Sequence, residues 1–238
     1  MPGRLQKGCL AGAPRRETAA RVAKPADSAK STSPASPARR TQSQRREEAE
    51  RRLLDAALGI VARAGSARLT LAEVGAAAGY SRGLATHRFG NKAGLLRALA
   101  AHINVRFHEQ LRAAPPRRAG LDAIRGNISV YFGRSDRNWT TTRALLVMMT
   151  EGFMEGAELK SDMAAYNRLA LAYFEQHLKS GVAQGEIATD IEPASMAVLL
   201  LGSLRGVMLQ WLLDDAIDLG AVRDRLLAMV DLTLARGV

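Results

Sequence analysis

The residues best placed to do chemistry lie on one short stretch, Ser81-Arg-Gly-Leu-Ala-Thr-His-Arg88. Arg82 and Thr86 are four apart, and so are Gly83 and His87, so on a helix they form two neighbouring rows. A guanidinium, a hydroxyl and an imidazole bind and donate; they do not form a set that makes or breaks bonds. The wider run from Leu69 to Lys92 reads as a helix, a tight turn at Gly79 and a second short helix. Such a helix-turn-helix commonly places its second helix in the major groove of DNA. No Gly-rich phosphate loop, G-x-S-x-G, H-E-x-x-H or paired-carboxylate motif accompanies it, so no catalytic residue is assigned.

These residues need a scaffold, and composition indicates its class. The chain has 238 residues, 47% hydrophobic and only 5% aromatic, so its core is aliphatic and alanine-rich. Helix formers dominate and no sustained strand alternation occurs, so the expected class is all-α. The expected layout is a basic arm over 1–42, a three-helix DNA-binding domain over 43–96 with its motif near 70–89, and a larger helical domain over 97–238.

Charge is uneven. Residues 1–46 carry 11 Lys/Arg against Glu17 and Asp27, which is +9 of the chain's +11. Residues 1–40 are rich in Ala, Pro, Ser and Arg, a composition that favours disorder. Arg39, Arg40, Arg45 and Arg46 stand just before the first helix. An arm there can reach a minor groove, or it can simply solubilise the chain. Cys9 is the only cysteine, so no intrachain disulfide forms. No signal peptide is evident, and a cytoplasmic location is the default expectation.

The first helix is expected over 45–64, with Leu54, Ala57, Leu58 and Val61 on one face and Gly65 as its stop. Thr70 and Glu73 have capping-box spacing, Ser81 can cap the next helix, and Asn91 can cap a fourth. Further helices are expected near 119–133, 141–155, 158–183, 193–213 and 219–235. Four histidines are scattered. His102 and His108 are six apart and do not share a face, so no metal site and no cofactor are expected.

Ala78-Gly-Tyr-Ser-Arg-Gly-Leu-Ala-Thr-His-Arg-Phe-Gly-Asn-Lys-Ala-Gly-Leu-Leu96 resembles the TetR family of bacterial transcriptional regulators. The resemblance spans about 47–100 and is most specific at Phe-Gly-Asn-Lys-x-Gly-Leu-Leu. It implies that the two rows face double-stranded DNA. Arg82 would read a guanine, Gly83 would allow close approach, and Leu84 would touch a thymine methyl. Thr86, His87, Arg88 and Lys92 would contact phosphates or base edges. Thr70, Ser81 and Lys92 lie at helix N-termini, where backbone amides favour phosphate. Many family members have tyrosine at the position of Thr86 and a polar residue at that of Leu84, which leaves the DNA sequence read open.

The resemblance also implies a homodimer through the last two long helices, and hence a palindromic operator. Met196–Leu213 is apolar enough to suggest a membrane span, but Arg205 near its centre is costly in lipid by at least ~2.5 kcal/mol. No membrane association is expected. Gly202 and Gly206 would let a partner helix approach, with Trp211 beside them. Tyr131, Trp139, Met148, Met149, Phe153 and Tyr166 would line a pocket for a small-molecule effector, or serve as ordinary core. The implied function is a transcriptional repressor released by that effector. A non-specific architectural DNA binder and a helical carrier or enzyme are the competing readings.

Overall fold

The computed structural model describes residues 41–133, 139–154 and 159–235. Among these residues the secondary structure is helical, with one isolated bridge between Ile187 and Ala235. The helices are α1 Gln42–Ala64, α2 Leu71–Ala77, α3 Arg82–Phe89, α4 Lys92–Ala113 and α5 Leu121–Phe132. They continue as α6 Thr140–Glu151, α7 Lys160–Ala183, α8 Pro193–Leu213 and α9 Leu219–Leu234.

Helix α1 begins three residues earlier than expected, and the cause is local. Thr41 Oγ1 accepts from the Gln44 amide at 3.2 Å, and Gln44 Oε1 accepts from the Thr41 amide at 2.9 Å. This reciprocal cap satisfies two end amides and fixes the start. Arg45 and Arg46 therefore lie exposed in the first turn of α1, not on an arm; Arg39 and Arg40 lie outside the described residues.

The other three caps fall where the sequence places them. Thr70 accepts from the Glu73 amide at 3.2 Å, Ser81 from Leu84 at 3.3 Å and Asn91 from Gly94 at 2.9 Å. The expected box at Thr70 is incomplete, because the Glu73 carboxylate accepts from the Thr70 hydroxyl at 2.9 Å.

Two apolar clusters hold the helices together. The first gathers Leu53, Ala57, Leu58 and Val61 of α1 with Leu69, Val74, Ala85, Leu95 and Leu99. It also takes Ala144, Leu145, Met148 and Met149 from α6. Helices α1 to α4 thus share a core with α6. The second cluster joins α5, α7, α8 and α9 around Ile124, Ile128, Phe174, Leu178 and Leu204.

Candidate DNA-binding face and ligand pocket

The turn between α2 and α3 is set by two glycines. Gly79 has φ 77°, a value that L side chains rarely adopt. Gly75 is buried, and a Cβ there would lie 2.9 Å from the Ser81 carbonyl oxygen. The Tyr80 amide donates to the Gly75 carbonyl at 2.7 Å across this approach. Gly75 was not legible as special, since one chain gives no sign of which helical glycine faces another backbone.

Helix α3 buries Ala85 and rests Leu84 and Phe89 against the first core. That packing turns Arg82, Gly83, Thr86 and His87 to solvent. The Arg82, Thr86 and His87 side chains make no hydrogen bond or ion pair among the described residues. Three of the expected contacts are placed otherwise. Leu84 is half-buried against the core. Arg88 turns back to Glu50 at 3.6 Å, and its Nε is buried without a partner. Lys92 donates through Nζ to the Ala67 carbonyl at 2.9 Å.

Lys92 has a counterpart in Glu151. The Ser66 amide donates to Glu151 Oε1 at 2.9 Å, so α4 and α6 together hold the loop between α1 and α2. A third tie joins α1 to α4. Asp55 Oδ1 lies 3.0 Å from His102 Nε2 and 2.8 Å from Arg106 NH1. The hydrogen bond from His102, helped by the Arg106 charge, holds the Asp55 carboxyl below its ordinary value of 3.8 against the opposing effect of burial.

Behind these ties lies a cavity of about 40 Å³. It is lined by Asn104, Phe107 and His108 of α4, Asn127 and Tyr131 of α5, and Leu145 of α6. Tyr166, Leu169, Ala170, Tyr173 and Phe174 of α7, with Leu201, Leu204 and Arg205 of α8, complete it. Of the expected pocket residues, Tyr131 and Tyr166 are present and four are elsewhere. Trp139 packs against Trp211 with ring centroids 5.6 Å apart and ring planes inclined at 57°. Met148 and Met149 belong to the core shared with α1, and Phe153 is 80% exposed. The periodicity of apolar side chains marks burial but not which buried face borders a void. Arg205 and Asn127 were missed as pocket groups because a polar residue inside a helix is usually surface. Burial pushes the Tyr173 hydroxyl's pKa up, with a hydrogen bond from Asn127 opposing it.

The outer faces of α8 and α9 are apolar and bare. Val198, Leu199, Leu209 and Leu213 are exposed along α8, and Met229 and Leu232 along α9. Gly202 and Gly206 lie on the same α8 stripe, and a Cβ on either would meet nothing within 4 Å. Trp211 is half-buried, with its ring against Trp139. Among the described residues α8 is the one helix long and apolar enough to cross a membrane. No three His, Cys, Asp or Glu gather as a metal site among the described residues.

Residues 53–99 match the family model for bacterial regulatory proteins, tetR family. The HTH-type transcriptional regulator CymR of Pseudomonas putida is 41% identical over 78 residues, 33% of this chain. The matched stretch spans 38% of that regulator's length. A TetR-family transcriptional regulator from Rhodococcus sp. shares the fold with a TM-score of 0.71 at 22% identity, over 79% of this chain and all of that one. SmeT, the repressor of the Stenotrophomonas maltophilia multidrug efflux pump SmeDEF, does so with a TM-score of 0.63 at 24% identity, over 79% of this chain and 90% of SmeT. The chain thus carries, over residues 53–99, a segment similar to the tetR family of bacterial regulatory proteins, and its described helices share the fold of such regulators.

Proposed function

We propose that this protein is a sequence-specific DNA-binding transcriptional regulator, a homodimeric repressor that a small molecule releases from a palindromic operator in the cytoplasm. The observation that carries the reading is the free row on α3. Arg82, Gly83, Thr86 and His87 are exposed together while Ala85 anchors the helix from behind. Arg82 is the base reader, since its fork matches guanine O6 and N7. Thr86 and His87 reach phosphates or base edges beside it. Thr70 and Ser81 present helix N-termini to the backbone, and Arg45 and Arg46 add charge from the first turn of α1. Arg88 and Lys92 act one step back, by holding α1 and the 65–69 loop in place.

Two such faces are needed to span an operator. The bare stripe on α8 and α9 supports pairing with a second copy, with Gly202 and Gly206 admitting its helix. A two-fold dimer presents paired recognition helices about 34–36 Å apart, hence a palindrome.

Release follows from helix α4. From Lys92 beside the motif to His108 in the cavity wall is about 24 Å at the helical rise. A cavity of about 40 Å³ must widen to take an organic molecule, and α4 is one of its walls. Moving α4 moves the DNA-binding helices through Lys92, Asp55 and His102. Coupling of this kind is worth ~1–3 kcal/mol, about 5–150-fold in DNA affinity, and is reciprocal. SmeT is known as a triclosan complex, which supports a small-molecule effector here. The test is anisotropy on a DNA fragment selected by the protein and on a scrambled fragment of equal length. The expected preference is about 1,000-fold or more. Equal affinities would favour the architectural reading.

A further inference from the structure

The cavity wall holds a charge with no anionic partner among the described residues. Arg205 is partly buried on α8 and donates to the Asn167 side-chain oxygen, a neutral partner. No Asp or Glu lines the cavity, and none among the described residues pairs with Arg205. Other part-buried arginines are served differently: Arg106 meets Asp55 at 2.8 Å and Arg125 meets Asp231 at 2.7 Å. Burial pushes the Arg205 pKa down, opposed by the nearby Tyr166 and Tyr131. A second polar group in the wall is also unsatisfied. Asn127 is 2% exposed, and its Oδ1 is buried with no hydrogen-bond partner.

A buried charge without an anion and a buried amide oxygen without a donor each destabilise a fold, so a ligand that brings an anion to Arg205 is expected in this cavity. The guanidinium fork matches a planar carboxylate with two parallel bonds. The Asn127 amide nitrogen already donates to Tyr173, so the group left over is the Oδ1 acceptor, which suits a donor carried on the same ligand. One arginine suits a single negative charge, not a phosphate dianion. Phe107, Phe174 and Leu204 make the remaining wall apolar.

We propose that this cavity binds a small amphipathic carboxylate, its charged head on Arg205 and its apolar body among Phe107, Phe174 and Leu204. The proposal rests on the reading of this cavity as the effector site, and binding and DNA release are therefore measured separately. The purified full chain is heated with benzoate, phenylacetate and octanoate, and with the primary amide of each. The same six compounds are added to its complex with a selected DNA fragment.

At least one carboxylate is expected to raise Tm in a saturable way, with its amide about tenfold or more weaker, the size of one lost charge-assisted bond. Arg205→Met is expected to raise the unliganded Tm, because an apolar chain replaces an unpaired charge, and to abolish the carboxylate response. Arg205→Lys keeps the charge and part of the response, and it carries the test if the Met variant does not fold. Amides as potent as their acids, a response unchanged in the Arg205 variants, or no saturable shift with any of the acids would overturn the proposal. Carboxylates that bind through Arg205 yet leave DNA affinity unchanged would uphold it and overturn the effector reading. Neutral compounds that bind and release DNA would do the reverse.

Discussion

Arg82, Arg88 and Lys92 look alike in the sequence, as cations spaced along one motif, and the structure separates them. Arg82 is free, Arg88 faces Glu50, and Lys92 is bonded to the Ala67 carbonyl. Which cation is already engaged depends on residues 25 or more positions away, so local spacing could not reveal it. The expected consequence is a split in phenotype. Arg82→Ala should weaken specific binding by about 5–150-fold, the 1–3 kcal/mol of one bidentate base contact, and leave Tm unchanged. Lys92→Ala should lower Tm as well as affinity, because a loop tie is lost. Anisotropy and thermal melts on both variants separate the roles. Asp55 gives a pH prediction. Its folded pKa lies below the ordinary 3.8, so its contribution to stability is complete above that value and is lost as pH falls through the folded pKa. Urea midpoints of the wild type and Asp55→Asn should differ by a constant amount above about pH 5 and converge only as pH falls below the ordinary 3.8 and through the lower folded pKa.

At the scale of elements, caps and stops were legible because they are local. Thr70, Ser81, Asn91 and Gly79 mark their boundaries through their own backbone neighbours. The Thr41 cap was passed over because it stands among polar residues with no apolar rhythm to announce a helix. What holds one helix to another was not legible. Gly75 matters because α3 passes over it, and Glu151 because its carboxylate crosses 85 positions of chain to reach Ser66. Gly75→Val should destabilise the motif by about 1–3 kcal/mol through overpacking, and urea unfolding should show it. Glu151→Ala should cost about 1–3 kcal/mol, since the Ser66 amide loses its acceptor. It should also weaken the effect of any effector on DNA affinity, because a link between the two domains is gone. An unchanged effector response in that variant would assign the coupling to α4 alone.

The whole molecule explains why α8 reads ambiguously. It is the most apolar helix, yet only one side of it meets its own chain, and Arg205 on it reaches a cavity. A membrane would need that arginine neutralised; a second copy needs only the bare stripe. Gly202→Leu isolates the point, because a Cβ there meets nothing within 4 Å among the described residues. The variant should keep its helical circular dichroism, elute as a monomer under light scattering, and lose most of its operator affinity. A dimer that survives Gly202→Leu would place the pairing surface elsewhere. The central claim is that two recognition helices, fixed by such a dimer, read DNA sequence together. Selection of bound fragments from random DNA tests it most directly. The account predicts an inverted repeat with half-sites centred about one helical turn apart, or a multiple of it. Fragments with no common motif, or a single unpaired half-site bound at full affinity, would contradict it.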